Sequence, residues 1–149
     1  MSSDPSTERY ELTIPVEATD IDEHGHVNNV VYVRWVQEAA TAHWQAAATA
    51  TQKDDISWFV VRHEIDYKHA ARLGDTVIAR TWVGVANART FERHTEILRT
   101  NDGRLLARAR TLWCPIDIRT GKLARVGADI RERFSVKRPL RGGLRDVEK

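Results

Sequence analysis

The sequence predicts an α+β domain in which an antiparallel sheet wraps around one long central helix. Three observations carry this. Residues 30 to 50 keep a helical spacing and are apolar over more than one face. One stretch of alternating apolar and polar residues precedes them and four longer ones follow. The chain has 149 residues, 42% hydrophobic and 30% charged, which suits one domain with one core.

Each element follows from its own pattern. Residues 1–9, MSSDPSTER, are polar and predicted to be frayed. Tyr10, Leu12, Ile14 and Val16 alternate with polar neighbours, which gives the first strand. Thr19 to Asn29 is too polar, and too broken by Gly25, to be a buried element, so it reads as an ordered loop. From Val30 to about Ala50, Val33, Val36, Ala40, Trp44 and Ala47 share a helical stripe that Tyr32, Trp35, Ala39 and His43 widen. Such a helix must be covered over much of its surface, and Asn28 or Asn29 can cap its start.

Thr51–Ile56 reads as a connecting loop. Phe59, Val61, His63, Ile65 and Tyr67 then alternate, with a turn over 71–75 before Val77, Ala79, Thr81, Val83 and Val85 resume the pattern. Phe91–Thr100 and Arg104–Ile116 flank Asn101-Asp102-Gly103, a hairpin signal. A short amphipathic stretch, Asp129–Phe134, closes a domain spanning 10–135, and the basic segment 136–149 is predicted to be a loose tail. By parity, Trp58 and Trp82 turn away from the helix, leaving aromatic surface for a second copy of the chain to cover.

Composition narrows the function. The formal charge is +2, and the arginines that crowd the second half suit either a solvated surface or a phosphate- or carboxylate-bearing partner. Nucleic-acid binding is not expected, because the chain has no aromatic RNA-binding motif, zinc-finger spacing or continuous basic helix. The single cysteine, Cys114, cannot form an internal bridge and reads as a structural thiol within a strand. With no apolar run near the ~20 residues of a membrane span and a polar start, a cytoplasmic protein is expected.

Asp20, Asp22, His24, His26, Asn28 and Asn29 place six polar groups within ten positions, directly before the apolar helix. One reading is a polar loop with an asparagine cap. The other is a cleft at the helix start, where unpaired backbone N–H groups favour developing negative charge. There a carbonyl can be polarised, a carboxylate can attack it or activate water, and an imidazole can move a proton. Three potential metal ligands in one loop, with no fourth from another element, make a weak metal signal. Gly-x-Ser-x-Gly and phosphate-binding glycine loops do not occur.

Asp22-x-x-x-His26-Val27-Asn28-Asn29-x-x-Tyr32-x-x-Trp35-x-x-Glu38 resembles the helix-start motif of hotdog-fold thioesterases, above all the acyl-carrier-protein thioesterases of plants and their bacterial relatives. Asp20-Ile21-Asp22-Glu23-His24-Gly25 is similar to the Asp-x-Asp-x-x-Gly pattern of the 4-hydroxybenzoyl-CoA thioesterase family. The resemblance runs from Tyr10 to Phe134 and takes in Ile65-Asp66-Tyr67 and Leu73-Gly74-Asp75. It implies a hotdog fold and hydrolysis of acyl-CoA or acyl-carrier-protein thioesters, with no cofactor and no metal, in a homodimer or homotetramer.

By the resemblance, Asp22 is the principal carboxylate, His26 a catalytic histidine and the Asn29 backbone amide an oxyanion donor. His24, Gly25, Asn28 and Tyr32 would adjoin the substrate, and Glu38 would face solvent or a subunit. The chain departs from the plant enzymes at His24, where they carry asparagine, and at His69-Ala70-Ala71, where they carry a further acid. Arg89, Arg93, Arg108 and Arg110 are candidates for the thiol arm by residue type. The alternative is a hotdog acyl-binding or dehydratase-like protein that does not hydrolyse.

Overall fold

A computed structural model of the chain describes residues 8–134. Of the start 1–9 predicted to be frayed, residues 1–7 lie outside the described residues, as does the basic tail 136–149. Glu8 bonds to His43 and Arg9 lies over Trp82, so these two are held rather than frayed. Strand β1 (Tyr10–Pro15) and a 3-10 turn (Ala18–Asp20) lead into helix α1 (Asn29–Ala47), then short helix α2 (Ala50–Asp55) and strand β2 (Ile56–Tyr67). Strands β3 (Thr76–Ala86), β4 (Phe91–Arg99) and β5 (Leu105–Asp117) follow, and helix α3 (Ala128–Phe134) ends the fold. All pairings are antiparallel, in the order β1-β3-β4-β5-β2. The sheet packs around α1, as its alternating strands and wide apolar helix predict.

Two details correct the sequence reading. The expected loop 51–56 is largely helical, because the Thr49 side chain accepts from the Gln52 N–H while the Gln52 side chain accepts from the Thr49 N–H. The second correction concerns β2. Val60 pairs with Trp113 and Arg62 with Leu112, so Val61 is an extra residue in a bulge that resets the alternation. Trp58 therefore turns inward, stacking on Phe91 and meeting Trp44 edge-on, while Phe59 (58% exposed) and Val61 (49%) face out. Trp82 does lie on the outer face, but Arg9 covers its ring at 3.9 Å and His94 stacks on it. Gly84 makes room for that stack, since a Cβ there would lie 2.6 Å from the His94 ring nitrogen.

The core has two apolar lobes. Val31, Tyr32, Trp35 and Ala39 meet Val77, Ile97 and Leu106 near the start of α1. Trp44 and Ala48 meet Val83, Phe91 and Phe134 near its end. Between the lobes lies a buried polar layer of His43, Thr81, Arg93, Thr95 and Thr111. Arg93 Nη1 donates to His43 Nδ1 (3.0 Å) and to Thr81 Oγ1 (3.2 Å). The guanidinium can only donate, so Nδ1 carries no proton and His43 Nε2–H donates to Glu8 Oε1 (2.7 Å). Arg93 is therefore a core residue, not an arginine of the cleft mouth.

This layer sets an expected pH response. Burial first, and the Arg93 charge second, hold the His43 imidazole below its ordinary value of 6.5, against the pull of Glu8. The unfolded chain thus binds a proton at a higher pH than the folded one, so stability falls as pH drops below 6.5 towards the lower folded value. Burial lowers His63 and His94 in the same sense. Thermal melts from about pH 7.5 to pH 5 are expected to slope downwards, and His43→Gln, which can keep both hydrogen bonds without titrating, is expected to flatten that slope. Equal slopes in the two proteins would show that His43 does not set the response.

Candidate active site

The polar segment before α1 forms a tight turn. Ile21 bridges Val27, the Asp22 N–H donates to the His26 carbonyl (2.8 Å), and Gly25 takes the left-handed φ of 81°. Asp22 Oδ1 accepts from the N–H groups of His24 (2.9 Å) and His26 (3.3 Å). These bonds, the His24 one foremost, hold the Asp22 carboxyl below the ordinary aspartate value. Both use Oδ1. Among the described residues Oδ2 has no such donor, so an ionised oxygen remains available.

Helix α1 begins immediately afterwards. The Asn28 side chain accepts from the Val30 N–H (3.0 Å), and the Val31 N–H donates to the Asn28 carbonyl (2.9 Å). The Asn29 N–H lies at the first helical position, too early for an intrahelical bond, and has no acceptor among the described residues. A cleft of about 230 Å³ opens here, lined by Asp22, His26, Asn29 and Tyr32 from the loop and helix. Tyr67, Lys68, His69 and Ala70, from the end of β2 and the segment after it, line its other side.

Of the residues expected at the site, the cleft thus gathers Asp22, His26, Asn29 and Tyr32. His24 projects into solvent beside Glu23, Gly25 shapes the turn and Asn28 caps the helix, and none of the three lines the cleft. Tyr32 is 2% exposed, and its hydroxyl accepts the buried Ala71 N–H (2.8 Å), which fastens the β2–β3 connection over the cleft. Tyr32→Phe would strand that N–H, at an expected cost of about 1–3 kcal/mol in stability, checked by denaturant melts. The Tyr67 hydroxyl donates to the Asn29 carbonyl (3.1 Å), a second tie across the cleft.

Sequence reasoning missed Lys68 and His69 as lining residues. His69 Nε2 accepts from Arg104 Nη2 (3.0 Å). The signal lay in the run between Ile65-Asp66-Tyr67 and Leu73-Gly74-Asp75, already matched on both sides. Glu38 is exposed and pairs with Arg34 one helical turn away (3.4 Å). Asp20 is buried and structural, accepting from Arg34 (3.0 Å) and from the Glu17 N–H (2.9 Å). Among the described residues no group of three or more His, Cys, Asp or Glu side chains is arranged to hold a metal ion, and no helix is long and apolar enough to cross a membrane.

A central helix wrapped by a five-stranded antiparallel sheet, with a polar turn at the helix start, defines a hotdog-fold protein. The chain belongs to the thioesterase-like superfamily, whose family model matches residues 16–134. It is 27% identical over 105 residues to a chloroplastic acyl-[acyl-carrier-protein] hydrolase of Cuphea viscosissima, covering 64% of this chain and 26% of that one. It thus spans about a quarter or less of the length of the curated relatives it matches. Among solved structures it is similar in fold to a 1,4-dihydroxy-2-naphthoyl-CoA thioesterase from Synechocystis (TM-score 0.70, 23% identity, 80% of this chain and 90% of that one). A DHNA-CoA thioesterase from Staphylococcus aureus superposes comparably (TM-score 0.71, 20% identity, 79% and 80%).

Proposed function

We propose that this protein, through a single domain spanning 10–135, hydrolyses acyl thioesters of pantetheine, the thiol arm shared by coenzyme A and acyl carrier protein. The observation that carries the reading is the shared cleft of the Asp22 carboxylate and the unpaired Asn29 N–H at the start of α1. The names of its relatives supply both kinds of thioester. The lone Cys114 suits a reducing compartment such as the cytoplasm.

In the proposed reaction the thioester carbonyl oxygen points at the Asn29 N–H and the positive end of the α1 dipole. Negative charge that develops on that oxygen is stabilised there. The ionised Asp22 either attacks the carbonyl carbon itself or takes the proton of a water that does so. When Asp22 attacks, the C–S bond breaks as a mixed anhydride forms on Asp22, and a water then hydrolyses that anhydride to free acid and restores the carboxylate. When Asp22 activates water, the water oxygen forms the C–O bond directly as the C–S bond breaks. In both routes the departing thiolate takes up a proton from water or through His26. Both routes need Asp22 ionised, which its lowered pKa secures at neutral pH.

The working unit is a dimer or a dimer-based tetramer. Strand β2 is a sheet edge twelve residues long, with Phe59 and Val61 exposed, and a bare edge of this length invites pairing with a second copy. Thiol release from a panel of acyl-CoA and acyl-carrier-protein substrates of graded chain length, aliphatic and aromatic, tests the function. Turnover that peaks at one acyl class is expected. Tight binding with no thiol released across the panel would favour an acyl-binding protein instead.

A further inference from the structure

Helix α1 has a second cavity near its other end, of about 340 Å³, and its chemistry is unlike that of the cleft. Trp44, Trp58, Phe91 and Trp113 form aromatic walls, and Arg93 lies against them. Arg93 is 3% exposed, and its only side-chain hydrogen bonds among the described residues leave from Nη1, to the neutral acceptors His43 and Thr81. Among the described residues its Nε–H and Nη2–H groups have no acceptor and no carboxylate bonds to the guanidinium, Glu8 acting on it only through space. The indole N–H groups of Trp58 and Trp113 are likewise buried without an acceptor among the described residues. Lys53 adds a second positive charge to the lining, which holds no acidic side chain. Burial lowers the Arg93 pKa only to about 10, so it stays charged at neutral pH.

Buried donors and cations without acceptors are costly unless something in the working protein supplies the acceptor. A carboxylate matches the unused side of a guanidinium and offers enough lone pairs for the neighbouring indoles. The aromatic walls suit an apolar or ring-shaped body attached to it.

Position links this cavity to the reaction. Along α1, Asn29 and the cavity residues Ala40 to Trp44 are roughly 16–22 Å apart at 1.5 Å per residue, too far for a ring-sized acyl group to bridge within one chain. Strand β2, however, begins in the cavity with Ile56, Ser57 and Trp58 and ends at the cleft with Tyr67. Antiparallel pairing of two β2 edges about a two-fold axis sets the start of one strand beside the end of the other. Each cleft then adjoins the partner's cavity.

We propose that Arg93 is a specificity-determining residue and that the enzyme prefers acyl groups whose far end carries a carboxylate, which enters the partner's aromatic cavity while the thioester sits at Asp22. This rests on the thioesterase reading and on its dimer. The test compares matched substrates, 4-carboxybenzoyl-CoA against 4-methylbenzoyl-CoA and adipoyl-CoA against hexanoyl-CoA. The wild-type protein is expected to favour the carboxylate member of at least one pair by about tenfold or more in kcat/KM, and Arg93→Met to lose that preference. A wild-type ratio at or below one in both pairs overturns the inference, and does so even if Arg93→Met fails to fold. An unchanged ratio in folded Arg93→Met overturns it as well. If no member of either pair is hydrolysed while other thioesters of the wider panel are, only the inference fails. If no thiol is released across the wider panel either, the thioesterase reading fails too, whereas hydrolysis without discrimination removes only the role of Arg93.

Mixing an Asp22→Asn chain, which lacks turnover, with an Arg93→Met chain, which is weakened on the carboxylate substrate, tests the trans arrangement. In a heterodimer of Asp22→Asn and Arg93→Met chains, one of the two composite sites is intact. Random mixing is expected to restore roughly a quarter of wild-type turnover on the carboxylate substrate. No gain over the separate variants, with heterodimer formation verified, would place cavity and cleft in the same chain and contradict the shared site.

Discussion

Asp22→Asn is expected to lower kcat by about 10²–10⁴ while the circular dichroism spectrum and melting curve stay near those of the wild type. The structure explains why the two effects separate. The turn is held by Asp22 Oδ1, which accepts from the His24 and His26 N–H groups, and asparagine keeps an oxygen for both. What it loses is the charge and basicity of the carboxylate, the property the proposed chemistry uses. Asp20→Asn is expected to act the other way, because Asp20 is buried against Arg34 and the Glu17 N–H. Weakening that pair should cost about 1–3 kcal/mol in stability and leave kcat in the folded protein far less affected. An Asp22→Asn protein with near-native kcat would reassign the carboxylate's role and make His26, on the same cleft, the leading candidate.

A charge on the β2 edge is expected to have the next largest effect. Val61 sits in the bulge, 49% exposed, and Phe59 lies beside it on the outer face. Val61→Lys places a solvated cation where two edges would meet, a device that natural sheets use to keep edges apart. Sedimentation is expected to shift from a multiple of the 17.0 kDa chain mass to the monomer. Turnover should fall with it, because each cleft would lose the acyl cavity of its partner. A wild-type protein that sediments as a fully active 17.0 kDa monomer would contradict the dimer.

Periodicity made most of the fold legible. The wide apolar stripe from Val31 to Trp44 could only be a covered helix, and Asn101-Asp102-Gly103 marked a hairpin whose strands pair as expected. Where the reading slipped, local chemistry had overridden the period. One extra residue at Val61 reversed the parity of half a strand, which a two-residue repeat cannot announce. The helix at 50–55 was hidden by its polarity, although Thr49-x-x-Gln52 carried its capping signal. Arg93 shares its parity with Phe91, Thr95 and Ile97, so the alternation of the strand puts it on the inner face, but its charge argued for solvent and hid that.

The candidate site divides along the same line. Asp22, His26 and Asn29 were legible because they lie within eight consecutive residues at a helix start. Lys68 and His69 come from a segment some forty positions later, and only the fold brings them to the same cleft.

The most direct measurement is the structure of the wild-type protein bound to a non-hydrolysable thioester analogue, such as an acyl-CoA in which a methylene group replaces the sulfur. The carbonyl oxygen is expected about 3 Å from the Asn29 N–H, with a carboxylate oxygen of Asp22 facing the carbonyl carbon directly or through one water. A carbonyl held elsewhere, with Asp22 and the start of α1 bare, would contradict the proposed chemistry.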